Sequence, residues 1–330
     1  MTNKLLTPPH VLSHMPSDSP ILLALSGGAD SRALLSLLCE YCRGTGARLY
    51  AAHVNHMIRG DDAARDRDFC AAVCRSLDVE CFTLDCDVPA IARERGIGIE
   101  QAARDVRYEF FMRLMREHSI PILATAHNAD DVLETLIFNI SRGSGLRGVG
   151  SIPEAREFGG GMLIRPLLHA AKDDIVEYCR ENGLDFVTDA TNADDIYSRN
   201  YIRLHIIPRL KQLNSGVLAS TARLCSAARL DEDFIQGQVE QYFVSSGSDA
   251  NLLSSLRALH PALLSRVLSR LYSDASGGKV AEQVHISALC EMIERGVGNS
   301  ALSLPGLVRA QIKDKRLIFV PDPRKSFRHL

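Results

Sequence analysis

The stretch from Ile21 to Leu38, ILLALSGGADSRALLSLL, constrains the fold of this chain more than any other. Four apolar residues, Ile21, Leu22, Leu23 and Leu25, run into Ser26-Gly27-Gly28, after which Leu34, Leu35, Leu37 and Leu38 recur at helical spacing. That pattern predicts a strand, a glycine turn and a helix. At such a junction the first N–H groups of the helix have no partner of their own and point at whatever lies beyond the strand, which suits an anion. Glycine lets backbone approach a phosphate closely. Neither common phosphate signature is present here: there is no G-x-G-x-x-G and no Lys-Ser/Thr after a G-x-x-x-x-G. The reading is therefore a third kind of phosphate loop, against an ordinary strand-to-helix turn with a Ser or Asp cap.

The same alternation continues. Arg48–His56 reads as a strand, Asp61–Leu77 as a helix, Val79–Asp85 as a strand, Glu100–His118 as a helix, Pro121–His127 as a strand and Asp130–Ile140 as a helix. Helices between apolar strands imply right-handed crossovers and a parallel sheet covered on both faces, an α/β doubly wound domain. Ligands of such sheets sit beyond the C-terminal strand ends. The polar clusters Ser26–Ser31, His53–His56 with Arg59-Gly60, and His127-Asn128 with Asp130-Asp131 all fall there.

After residue 214 the texture becomes mainly helical. Helices are expected over Val217–Val244, within the run from Leu252 to Asp274 and near Val284–Glu294, followed by a small hairpin around Pro305-Gly306 and Lys313-Asp314-Lys315. The expected division is thus 1–214 and 215–330. A chain of 330 residues suits one large and one smaller domain. The formal net charge of −2 means that any polyanion partner must meet a local basic face. Nine cysteines, an odd number in mostly apolar segments, with no N-terminal signal pattern, read as reduced thiols in a cytoplasmic protein. No apolar run approaches a membrane span.

Several motifs share one resemblance: Ser26-Gly27-Gly28-Ala29-Asp30-Ser31; His53-Val54-Asn55-His56-x-x-Arg59-Gly60; Glu100-x-x-Ala103-Arg104-x-x-Arg107-Tyr108; and Ala126-His127-Asn128-Ala129-Asp130-Asp131-x-x-Glu134-Thr135. Arg142-Gly143-Ser144-Gly145-Leu146, Arg165-Pro166-Leu167-Leu168, Asp189-x-x-Asn192 and Arg199-Asn200-x-x-Arg203 complete it. In this order, over about Ile21–Pro208, the chain resembles the tRNA(Ile)-lysidine synthetases of the N-type ATP pyrophosphatase superfamily. The resemblance implies an adenine nucleotide alpha hydrolase-like fold with a smaller helical domain. It also implies a reaction in which ATP with Mg²⁺ adenylates C2 of the wobble cytidine in a tRNA(Ile) with anticodon CAU. The ε-amine of free lysine then displaces AMP to form lysidine.

It assigns ATP to Ser26–Ser31 with His53, Asn55 and His56. Catalysis falls to Asp30, Arg107, Asp130 and Asp131; Asp30 and Asp130 are set on the Mg²⁺ side and Asp131 as base for the amine, a division between the two neighbours that the sequence leaves open. Substrate contacts fall to His127, Glu134, Arg142, Arg165, Asp189, Asn192, Arg199, Asn200 and Arg203, the basic surface that the net charge conceals. Plainer readings stand beside these: a core histidine bonded to backbone for His53, helix capping for Asp130 and Asp131, and a solvated salt-bridge face for Glu100, Arg104 and the Arg199–Arg203 stripe. Val132 stands where the family often has Gln, and Asn128 where it often has His. Longer members continue into a further C-terminal domain. The oligomeric state is left open, a homodimer included. The rivals are a tRNA-thiolating relative, for which Cys39-x-x-Cys42 lies at the wrong end of its helix, and a non-catalytic ATP-binding regulator.

Overall fold

Leu22 and Leu23 are adjacent, both fully buried, and belong to different apolar clusters. Period-two geometry sends them to opposite faces, so their strand, β1 (Ile21–Ala24), is covered on both sides. The computed structural model describes residues 16–58, 61–187, 198–297 and 300–322. After β1 come α1 (Ala29–Thr45), β2 (Leu49–Asn55), α2 (Asp61–Ser76), β3 (Glu80–Asp85), α3 (Val88–Arg95), α4 (Ile99–Glu117), β4 (Ile122–Ala124) and α5 (Ala129–Ser141). These are followed by α6 (Leu146–Val149), β5 (Ala155–Phe158), β6 (Gly161–Ile164), α7 (Lys172–Glu181), α8 (Ser198–Tyr201), a π-helical turn (Ile202–Ile206) and α9 (Ile207–Leu213). The remainder is α10 (Val217–Ser246), α11 (Leu253–Arg257), α12 (Pro261–Ala275), α13 (Gln283–Arg295), β7 (Ala301–Leu304), β8 (Val308–Lys313) and β9 (Arg316–Pro321).

The described residues fall into two compact units, those within 1–141 and 151–225 and those within 142–150 and 226–330. The first holds a sheet of strand order β3-β2-β1-β4-β6-β5. It is doubly wound: β1 pairs in parallel with β2 on one side and β4 on the other, so crossovers leave in opposite directions and part above the β1 and β4 ends. One face packs Leu23, Leu34, Leu35, Leu38, Ile164 and Ile175; the other packs Leu22, Phe110, Phe111, Leu114 and Leu163. The sheet is mainly parallel, with one departure from the sequence expectation. β5 runs antiparallel to β6 through Gly159-Gly160, at φ 60° and 83°, a two-residue turn too short for a crossover. Helix α3, capped by the Asp87 carboxylate accepting from Ala90 N with Pro89 in its first turn, also lies outside the sequence-predicted elements.

The polypeptide from Ser198 to Leu213 is one helical run with a wide turn in it. Pro208 has no N–H and its ring crowds the preceding turn, and just before it Ile207 N donates to Ile202 O, five residues back. Ile202 and Ile207 pack on Leu133 of α5, which fixes this run against that helix.

In the second unit, Val239, Leu256, Leu268, Tyr272, Leu289, Leu304 and Leu317 form the core. The tail is a three-stranded antiparallel meander, β7-β8-β9, rather than a single hairpin; its second turn places Asp314 and Lys315 at φ 51° and 60°. No described helix is long and apolar enough to cross a membrane.

Leu34 is 0% exposed and Leu230 is 70% exposed. Leu34→Ala should lower unfolding stability in urea by about 3 kcal/mol, through lost burial and a residual cavity, whereas Leu230→Ala should change it by less than about 0.5 kcal/mol.

Candidate functional site

Gly27, at φ 89°, turns the chain out of β1, and Gly28 caps α1. A Cβ on Gly27 would lie 3.1 Å from Cys70 Sγ, and its carbonyl accepts from Val187 N at 2.9 Å, so the position requires glycine for both angle and space. The amides of Ser26 and Gly27 converge on Ser31 Oγ at 3.2 and 3.1 Å, and Ser26 Oγ lies 3.0 Å from the same atom. Successive N–H groups turned to one point form an anion-binding concavity, here lined with two hydroxyls.

This loop opens into a cavity of about 630 Å³ at the parting of the crossovers, a size that suits a nucleotide. Ser26, Asp30, Ser31, His53, Asn55, His56, Arg107, His127, Asp131 and Arg203 line it, so much of the sequence-predicted set meets at one place. His53 is buried with Nδ1 at 2.9 Å from Leu25 O, and burial lowers its pKa. Asn55 donates to Asp85 at 2.8 Å and accepts from Met57 N, which braces the β2 end. Burial, then the nearby Arg107 charge, brings His56 down to about 4. Burial, then Arg165 and Arg107, brings His127 down to about 3; its Nδ1 lies 3.0 Å from Thr125 Oγ1. These imidazoles are neutral near pH 7. Positive charge comes from guanidinium groups: Arg107, itself held by Ala103 O, and Arg104, which sits 4.9 Å over the Tyr108 ring.

The acidic residues divide by what they touch. Asp130 accepts from Lys172 N at 2.9 Å and pairs with Lys211 Nζ at 2.6 Å, joining the starts of α5 and α7 to α9. Asp131, its neighbour, faces the cavity, and its carboxylate accepts from Asn128 N while Asn128 Oδ1 accepts from Asp131 N, a reciprocal cap. Desolvation, with Asp30 and Glu134 nearby, raises its pKa to about 6. Glu134 is buried and held by Arg199 at 2.8 Å and Arg203 at 2.7 Å. Asp30 pairs with Lys172 Nζ at 2.6 Å through Oδ2, while its buried Oδ1 has no hydrogen-bond partner.

For a divalent cation, no three His, Cys, Asp or Glu side chains among the described residues are grouped closely enough to hold one alone. Asp30 with its unpartnered oxygen and Asp131 fit a cation whose other ligands are phosphate oxygens. Asp130, with both oxygens engaged, does not share that wall.

Other predicted residues lie elsewhere. Arg165 is buried beside the cavity, donating to Pro153 O at 2.6 Å. Ala29 is buried as the first residue of α1, and Asn200 is half-buried on α8. Arg142 belongs to the second unit. Arg59, Asp189 and Asn192 lie outside the described residues. The sequence reading missed Lys172; the signal was Lys-Asp-Asp opening an apolar-periodic run just after Arg165-Pro166-Leu167-Leu168. No cysteine among the described residues lines the cavity; Cys39 and Cys42 lie toward the C-terminal end of α1.

A doubly wound sheet whose first strand delivers a Ser-Gly-Gly-x-Asp-Ser loop to a cavity edged with acids and arginines defines an ATP-using protein of the PP-loop class. The profile of the PP-loop domain family matches residues 3–210. Curated proteins named tRNA(Ile)-lysidine synthase align with most of the chain. That of Clostridium perfringens (strain 13 / Type A) is 35% identical, covering 92% of this chain and 67% of the relative. That of Bacillus subtilis (strain 168) is 35% identical over 86% of this chain and 62% of the relative. The chain thus belongs to the PP-loop family and, within it, to the tRNA(Ile)-lysidine synthases. It spans about two thirds of the length of these relatives. A solved U34-tRNA thiolase from Methanococcus maripaludis, 20% identical with a TM-score of 0.55 over 68% of this chain and 74% of that one, shares the fold.

The raised Asp131 pKa has a consequence for stability. The folded state holds this proton more tightly than the unfolded chain, whose value is the ordinary 3.8. The group's stabilising contribution is complete below that value and is lost as pH rises through about 6. Asp131→Asn should flatten this part of a plot of melting temperature against pH, and an unchanged slope would contradict the assignment.

Proposed function

We propose that this chain ligates lysine to C2 of the wobble cytidine of a tRNA(Ile) bearing the anticodon CAU, releasing AMP and pyrophosphate. The observation that carries the reading is the meeting of the Ser26–Ser31 loop with Asp131 in one cavity, in a chain whose relatives bear the synthase name. Loop amides and the Ser26 and Ser31 hydroxyls hold the β- and γ-phosphates of ATP. His53, Asn55 and His56 form the adenine side. The cytidine C2 oxygen attacks the α-phosphorus and pyrophosphate departs; Arg107 meets the charge that develops there. Asp30 and Asp131, rather than Asp130, would hold a Mg²⁺ ion, which would supply positive charge to neutralise the phosphates.

In the second step the lysine ε-nitrogen bonds to C2, the C2–O bond breaks, and AMP leaves with that oxygen. Asp131 takes the proton from the amine, a task suited to a carboxylate whose pKa lies near 6. Glu134, set between Arg199 and Arg203, gives the lysine and the base a fixed frame of charge. His127, Arg142, Arg165, Asn200, Asp189 and Asn192 complete the set assigned to substrate. The reading includes a cytoplasmic location, where its substrates tRNA, ATP and free lysine would be met, and leaves the oligomeric state open. Thiolation is disfavoured because no cysteine among the described residues faces the cavity.

The test combines the protein with ATP, Mg²⁺, radiolabelled lysine and unmodified tRNA(Ile) transcript, alongside tRNA(Met), which carries the same anticodon. Label on the isoleucine transcript alone, with one AMP per lysine fixed, is expected. Asp131→Ala should reduce fixation by about a hundredfold or more while tRNA still binds. AMP formed without label would turn the assignment toward another nucleophile.

A further inference from the structure

The phosphate loop lacks the lysine that a P-loop carries, and its donors are neutral amides and hydroxyls. Against a polyphosphate that leaves a deficit of positive charge on the loop side. Lys172 reaches this place from a position 142 residues along the chain, its ammonium 2.6 Å from Asp30 Oδ2. Asp30 directly precedes Ser31, on whose hydroxyl the loop amides converge.

Two further features set this pair apart from a structural bridge. The Lys172 backbone is fixed, since its N–H donates to Asp130 Oδ2 at 2.9 Å at the first position of α7. Its side chain is 41% exposed, so the stem can turn while the backbone stays in place. The carboxylate it touches is only half satisfied, because Asp30 Oδ1 is buried without a hydrogen-bond partner. A tied backbone, a free stem and an incompletely paired carboxylate describe an ammonium resting on a temporary partner.

We infer that Lys172 is the phosphate-binding cation of this loop, neutralising Asp30 in the free protein and moving to the β- and γ-phosphates of ATP, and to the departing pyrophosphate, when these bind. The inference rests on the ATP reading of the cavity. It assigns to α7 the charge that a P-loop lysine supplies from within its own loop.

Calorimetric titration in EDTA, with ATP, inorganic pyrophosphate and AMP as separate probes, tests this without turnover. Lys172→Met should weaken ATP and pyrophosphate by about tenfold to a hundredfold, the scale of one charge-assisted hydrogen bond, and leave AMP unchanged. Lys172→Arg should recover part of the loss. Because Lys172→Met also exposes the Asp30 charge, the charge-balanced double variant Lys172→Met/Asp30→Asn is decisive. It should regain at most the part of the loss due to the exposed Asp30 charge and still bind pyrophosphate about tenfold more weakly than the unmodified protein. Recovery to the unmodified protein's affinity would mean that Lys172 only neutralises Asp30, and would overturn the inference. Equal weakening of all three probes, or of none, would overturn it as well. If the unmodified protein bound neither ATP nor pyrophosphate, the nucleotide reading itself would fall.

Discussion

Glu134 is a carboxylate with 4% of its side chain exposed, and such a charge persists only when it is fully paired. Arg199 and Arg203 pair it, and in doing so they bind α5, which carries Asp130 and Asp131, to the run from Ser198 to Leu213. The wide turn before Pro208 and the packing of Ile202 and Ile207 on Leu133 hold that run in place. Arg199 also lies 4.8 Å over the Phe138 ring, one turn further along α5. The placing of α5, and with it of Asp131 in the cavity, therefore depends on this buried ionic cluster.

The two walls have different origins. The loop side is fixed by topology: strands β1 and β4 part their crossovers, and whatever follows their ends faces the cavity. The acidic side is fixed by charge pairing between segments distant in sequence, including Lys172 with Asp30 and Lys211 with Asp130. Neighbouring aspartates in one helical turn consequently do different work: Asp130 ties helices together, and Asp131 is left to the cavity.

This division explains what the sequence made legible. Apolar runs and helical spacing report local periodicity, so β1 to β4 and their helices could be read closely, as could the gathering of polar residues at the strand ends. Gly159-Gly160 reads as a turn, yet nothing local says that its two short flanks add an antiparallel edge to the sheet. The plain alternative for His53, a bond to backbone, coexists with its place on the cavity wall. Lys172 and Lys211 could not be seen as partners of Asp30 and Asp130, because pairing across the fold leaves no periodic trace. The roles of Asp130 and Asp131 were separable only once their contacts were known.

The neutral imidazoles of His53, His56 and His127 have a physiological corollary. Histidine ordinarily makes a site sensitive to the acidification of a starving or stressed cell. In this cavity His56 and His127 are held so far below their usual range that such a shift leaves them uncharged, and burial lowers His53 in the same direction. Burial thereby leaves the positive charge on the cavity wall to its arginines, so the imidazoles there offer ring faces and neutral nitrogens rather than charge.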